Sequence, residues 1–216
     1  MPVDTCRLAV LISGAGSTMI NLQDHIARGE VPARIAVVVS SRRDAPGVGK
    51  ARALGLEARV LGRGPFRRDG VFDERAYSAA LAALLEGFSP DLVVLAGFMT
   101  RLTAEVLDRW PAMNVHPALL PEFGGEGFYG HRVHEAVLAS GARKTGATVH
   151  FVDARYDHGP IVAQEQIPVI PGEAPDALAA RVQEVERRIY PAAVAAFARG
   201  ELLEKCPMRS RSGGRS

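Results

Sequence analysis

Apolar residues recur along this chain in two alternating rhythms. Short continuous runs at residues 8–12, 35–39, 92–95 and 113–115 have the length of strands buried on both faces, because a strand covered by helices needs no polar side. Between them, residues 17–28, 47–54 and 72–85 place their apolar positions three and four apart, the stripe of a helix lying on a sheet. Strand alternating with helix predicts the α/β class: a doubly wound, mainly parallel, Rossmann-like sheet with helices on both faces. The rhythm changes near the C-terminus. Residues 145–152 and 161–168 read as an antiparallel pair of strands, and residues 175–198 as one long closing helix. Residues 62–70, with Arg63, Arg67 and Arg68 among glycines, are expected to form a basic loop.

Composition narrows the class. With 216 residues, 47% of them hydrophobic, the chain can bury one substantial core, and no repeat or linker divides it, so residues 1–204 are expected to form a single domain. No apolar run approaches the ~20 residues that would span a bilayer, and the N-terminus has no basic segment leading into a long apolar one. A cytoplasmic protein with no membrane partner is expected. Cys6 and Cys206 stand near opposite ends, which suggests neither a disulfide framework nor a thiolate metal site. The formal net charge of +2 includes Lys205, Arg209, Arg211 and Arg215 at the very end, leaving a slightly acidic body and no expectation of a nucleic-acid partner. Residues 205–216 have little to bury and read as a basic, disordered tail.

Three places carry candidate chemistry. Ser13-Gly14-Ala15-Gly16-Ser17-Thr18 follows the first strand and opens a helix; glycines let backbone N–H groups approach an anion, and the helix N-terminus adds a favourable field. The same turn is also consistent with a plain strand-to-helix connection capped by Ser17 or Thr18. Asn114 and His116, two apart on a strand ending at Pro117, share one face. A neutral donor and a titratable ring thereby converge on one point. Asp157 lies in a polar loop before Gly159-Pro160. Together these supply acyl transfer without a covalent intermediate: Asn114 and His116 to hold a developing oxyanion, Asp157 to orient the imidazole or a water and accept the proton of an attacking amine.

Asn114-x-His116-Pro117-x-Leu119-Leu120-Pro121 followed by Asp157-x-Gly159-Pro160, with Val94-Leu95-Ala96-Gly97-Phe98-Met99 between β-like runs and Ile189-Tyr190-Pro191 near the end, resembles the signature of the folate-dependent formyltransferases. The likeness runs from about Arg7 to Leu202. It implies transfer of a formyl group from 10-formyltetrahydrofolate as co-substrate, without a metal, to an amine, with glycinamide ribonucleotide of purine biosynthesis as acceptor. It assigns Gly14, Ala15, Gly16, Ser17 and Thr18 to the ribonucleotide phosphate, although Thr18 stands where the family usually has Asn. Gln183 and Glu186, one helical turn apart, fall at positions that meet the rest of that substrate. Arg75, Leu95, Met99, Thr100, Arg101 and Leu102, then Val152, Asp153, Ala154, Arg155 and Tyr156, correspond to the folate site. Thr148 and His150 correspond to a pair that organises water beside the catalytic Asp. The N-terminal half thus carries the nucleotide site and the C-terminal half the folate site, in a monomer or a homodimer.

Alternatives remain at this stage. Formyl-folate hydrolysis, or formylation of another amine such as an amino-sugar nucleotide, would use the same core. An NADP-binding Rossmann protein is a rival of another class: Met19 occupies the third glycine position of that fingerprint, but Arg42 and Arg43 after the second strand suit a phosphorylated cofactor. Residues 122–135 form an apparently lengthened loop before the next helix. Its His131 and His134, taken with His116 and Asp157, are a weak metal-ligand set.

Overall fold

The computed structural model describes residues 5–202 and 204–207 of the chain. In chain order the elements are β1 (Cys6–Ile12), α1 (Ser17–Ala27), β2 (Ala33–Ser40), α2 (Pro46–Ala53), β3 (Ala58–Val60), β4 (Arg67–Arg68), β5 (Val71–Phe72), α3 (Glu74–Glu86) and β6 (Leu92–Leu95). There follow α4 (Ala104–Leu107), β7 (Ala112–His116), α5 (His131–Ala139), β8 (Lys144–Phe151), β9 (Ile161–Pro168) and α6 (Pro175–Ala198). The main sheet has the order β3-β2-β1-β6-β7-β8-β9. Its first five strands are parallel, while β8 and β9 run antiparallel to their neighbours. This is the doubly wound, mainly parallel sheet that the alternation of runs predicts.

Strand alternation sends β1 side chains to both layers. Leu8, Val10 and Ile12 pack into a core with α1, α2 and α6, whereas Ala9 and Leu11 face the α3 and α4 side. All five are fully buried, each large one contributing about 1.5–3 kcal/mol of apolar burial. In β2 the pairing with β1 slips between Leu8 and Ala9. The slip adds Ala36 to one strand, so Ile35 and Val37 face opposite layers despite being two apart. A third cluster joins α5 to α6 through Val137, Leu178, Val182 and Val185 under Ala147 of β8.

The closing helix is fixed by its tyrosine. The buried Tyr190 hydroxyl lies 3.0 Å from the Leu95 carbonyl and 2.7 Å from the Met113 carbonyl; it donates between these two acceptors and ties α6 to the ends of β6 and β7. That is the physical content of Ile189-Tyr190-Pro191.

Several expectations are corrected. Residues 62–70 are not wholly loop: Gly64–Phe66 form a turn of 3-10 helix and Arg67–Arg68 pair with Val71–Phe72 as a two-stranded hairpin. Helix α3 starts at Glu74 rather than 72, because the Asp73 side chain accepts from the Ala76 N–H and caps it. β3 and α4, of three and four residues, are too short for periodicity to register. The segment after β7 is shorter than 122–135 implies, since α5 begins at His131. Of the expected tail, residues 208–216 lie outside the described residues. Among the described residues no helix is long and apolar enough to cross a membrane.

Candidate active site

The last residues of β7, their partners on β8, and the loop after β8 meet at one point. Register pairs Asn114 with His150 and His116 with Thr148, which puts all four side chains on one face of the sheet and brings both imidazoles against Asp157. The His116 Nδ1 lies 3.4 Å from one carboxylate oxygen of Asp157, and the His150 Nε2 lies 3.6 Å from the other. Asn114 Nδ2 is 3.3 Å from the same His150 nitrogen. Three residues distant in sequence do therefore converge, with His150 as a fourth member.

Backbone carbonyls set the tautomers. His116 Nε2 sits 2.7 Å from the Phe123 carbonyl and His150 Nδ1 2.8 Å from the Phe151 carbonyl; each must donate its N–H there. When neutral, both rings consequently turn a bare nitrogen towards Asp157. Burial holds His116 below the ordinary imidazole value against the opposing charge of Asp157. Burial raises the Asp157 carboxyl, yet His150, His116 and the Gly125 N–H at 3.0 Å together outweigh it and keep the group below the usual carboxylate value. The site is thus an ionised carboxylate beside two imidazoles, each with a nitrogen facing it that can carry a proton.

The segment after β7 covers this centre. His116 is only 4% exposed, and its outward N–H is occupied by the Phe123 carbonyl. Thr148 does not face a water: its hydroxyl donates to the Ala118 carbonyl at 2.7 Å and accepts from the Leu120 N–H at 3.0 Å and Gln164 Nε2 at 2.8 Å. One donor and two acceptor positions are all used. Thr148 therefore anchors the loop stem.

At the end of β1, Gly16 takes a left-handed conformation (φ 73°) as the residue before α1 and no side chain caps the helix. Ser17 and Thr18 are inside the helix, so the capping alternative fails and the first N–H groups stay open to an anion. A Cβ on Gly16 would lie 2.9 Å from the Gly47 Cα; backbone passes backbone here, which only glycine permits. Lys50 brings a positive charge to the turn, donating to the Ala15 carbonyl at 3.1 Å. Ser17, Thr18, Asn21, Gln183, Glu186 and Arg187 line a small pocket at this end of the helix. Burial pushes the Glu186 carboxyl up to about 7.

On the other side of the sheet, an open groove of about 490 Å³ is lined by Phe72, Asp73, Glu74, Arg75, Arg101, Thr103, Ala104 and Glu105. Arg75 pairs with Glu105 at 2.6 Å and Arg101 with Glu74 at 2.7 Å. Arg101 also reaches the Ala154 carbonyl and lies over the Tyr156 ring, joining the two segments expected to hold folate. Met99 is exposed, but Leu95, Thr100 and Leu102 are buried and Leu95 and Leu102 belong to the α3-side core; these offer backbone rather than side chain. The Asp153 carboxylate bonds the Arg155 N–H and His158 Nδ1, which leaves Val152 half-buried beneath this turn.

Sequence reasoning missed Phe123, Gly125 and Gln164, whose contacts are long-range. It also missed Ser13, whose hydroxyl accepts from the Met99 N–H at 2.9 Å and shares a 2.6 Å bond with Ser41, linking the anion turn to Met99. Among the described residues no group of three or more His, Cys, Asp or Glu is placed to hold a metal ion. His131 instead faces Asp176 at 3.3 Å.

A doubly wound sheet with an amide, an imidazole and a carboxylate around one point at its strand ends defines a class, and the sequence agrees: residues 6–194 match the profile described as formyl transferase. The chain belongs to that family. It is 41% identical over 205 residues to the phosphoribosylglycinamide formyltransferase of Mycobacterium tuberculosis (strain CDC 1551 / Oshkosh), covering 91% of this chain and 87% of that one. Against the chloroplastic phosphoribosylglycinamide formyltransferase of Arabidopsis thaliana it is 37% identical over 194 residues, covering 88% of this chain but 65% of the relative. Glycinamide ribonucleotide transformylase 1 from Symbiobacterium toebii superposes with a TM-score of 0.83 at 37% identity, covering 91% of this chain and 89% of that one. Family membership removes the NADP-binding reading.

Proposed function

We propose that this chain transfers the formyl group of 10-formyltetrahydrofolate to the amine of glycinamide ribonucleotide, as the names of its relatives describe for them. The observation that carries this reading is the convergence of Asn114, His116 and Asp157 with the tautomer of His116 fixed so that Nε2 holds the proton. The neutral amine attacks the formyl carbon, and the C=O electrons move onto oxygen. The Nε2–H of His116 and the amide of Asn114 stabilise that oxyanion. The Phe123 carbonyl occupies the Nε2–H in this structure, so the formyl oxygen takes its place when substrate enters. The proton lost by the amine passes, through a water, to Asp157. Collapse of the adduct re-forms C=O and breaks the bond to the folate nitrogen, which leaves with the electron pair and takes up a proton.

The small pocket with Ser17, Thr18, Gln183 and Glu186 holds the ribonucleotide, its phosphate on the open N–H groups of α1 with Lys50 beside it. The groove with Arg75 and Arg101 and the turn Val152–Tyr156 hold the folate, its carboxylates meeting the two guanidinium groups. Positioning two substrates against each other supplies much of the acceleration. The test is tetrahydrofolate release with and without glycinamide ribonucleotide, in the wild type and in His116→Ala. Release that requires the amine and falls by at least ~100-fold in the variant supports the reading; release indifferent to the amine means hydrolysis and refutes it.

A further inference from the structure

Gln164 stands on the edge strand β9 directly opposite Thr148. Its Nε2 donates to the Thr148 hydroxyl at 2.8 Å and to the Leu120 carbonyl at 3.0 Å, using both amide hydrogens. With the Leu120 N–H on Thr148 at 3.0 Å and the Thr148 hydroxyl on the Ala118 carbonyl, both polar backbone groups of Leu120 are held by side chains of β8 and β9. Leu120 is the last fixed point before the covering segment. Three residues on, the Phe123 carbonyl accepts from His116; five on, the Gly125 N–H donates to Asp157. A Cβ on Gly124 would lie 2.4 Å from the Leu120 side chain and 3.2 Å from the Asp157 Cβ, so Gly124 is packed tightly between Leu120 and Asp157. The glycines at 124, 125, 127 and 130 give the segment no stiffness of its own; its placement depends on the stem.

We infer that Gln164 is a positioning residue: by holding Leu120 and Thr148 it fixes the stem from which Phe123 and Gly125 reach His116 and Asp157. Its kinetic consequence rests on the proposed formyl transfer, whereas its effect on His116 does not. Because Gln164 is exposed, replacing it leaves no core void, and Gln164→Met removes both donors at similar length.

The experiment is titration of the His116 ring by NMR in the full chain, wild type against Gln164→Met and Gln164→Glu, with melting temperature and steady-state kinetics alongside. Losing the anchor readmits water to His116, whose burial is the dominant influence on it. The ring midpoint then moves up towards the ordinary imidazole value, by at least ~0.3 pH unit. The charged and titratable neighbours of that ring, Asp157, His150 and His134, are untouched by the substitutions and Gln164→Met adds no charge, so its shift reports the loop, while Gln164→Glu adds the pull of a new carboxylate to it. We expect kcat to fall by about threefold to tenfold, the effect of one or two partly exposed hydrogen bonds, with KM for the ribonucleotide unchanged. An unmoved His116 titration in both variants overturns the inference, whether or not the melting temperature changes. A wild type that shows no amine-dependent transfer overturns the proposed function instead, and leaves the titration comparison intact.

Discussion

Replacing Asp157 by Asn changes charge while keeping shape, and its consequences follow from three contacts. The carboxylate faces His116 Nδ1 at 3.4 Å and His150 Nε2 at 3.6 Å and accepts from the Gly125 N–H at 3.0 Å. An Asn side chain keeps the Gly125 bond through an oxygen in the place that also faces His116, and turns its N–H towards His150 Nε2, so the loop stays in place. What is lost is the negative charge that offsets burial of the imidazole. An adjacent opposite charge is worth about one to three pH units, and His116 already lies below the ordinary value; its midpoint falls further by that amount. The amine proton also loses its acceptor, which removes about 100-fold to 10,000-fold in kcat, or roughly 3–5 kcal/mol of barrier. NMR titration of the ring and steady-state kinetics with both substrates test this together. A variant whose kcat stays within about threefold of wild type, or whose His116 titrates at or above the wild-type midpoint, refutes the assignment of Asp157.

Two further outcomes follow from local geometry. A Cβ on Gly159 would lie 2.0 Å from the Phe151 carbonyl oxygen, so Gly159→Ala must push the Asp157 loop off β8; it should cost about 1–3 kcal/mol in denaturant unfolding and lower kcat with it, and an unchanged kcat would show that the loop position is not critical. For Glu186, a folded-state value of about 7 against an ordinary value of 4.5 means the folded chain holds a proton that the unfolded chain has lost between those pH values. Its stabilising contribution is therefore full below about 4.5 and lost as pH rises through about 7. Glu186→Gln, always uncharged, should melt higher than wild type at pH ~8 and nearly equal to it at pH ~4.5; equal melting at both would refute burial of the carboxyl.

The strands of the sheet and its α/β class were legible because burial on two faces leaves uninterrupted apolar runs, as in β1 and β6, while the half-exposed edge strand β9 mixes polar and apolar positions. The pairing of Asn114 with His116 was legible from strand geometry alone. Asp157 needed the family motif, since nothing local distinguishes it from another turn carboxylate. β3 and the β4–β5 hairpin escaped because three or two residues carry no period. Phe123, Gly125, Ser13 and Gln164 escaped for another reason: they act through backbone groups or bonds between loops far apart in sequence, and such contacts leave no pattern in residue type. Thr148 illustrates the limit, for its place on the face was right while its hydroxyl turned out to be fully engaged by the loop stem.

Direct transfer between two bound substrates can be followed with an isotopically labelled formyl carbon. Mixed with 10-formyltetrahydrofolate carrying that label and with glycinamide ribonucleotide, the protein should move the label onto the acceptor amine as fast as tetrahydrofolate appears, with none released as formate. Label accumulating in formate at a rate that ignores the amine, or remaining on the folate, would rule out direct transfer.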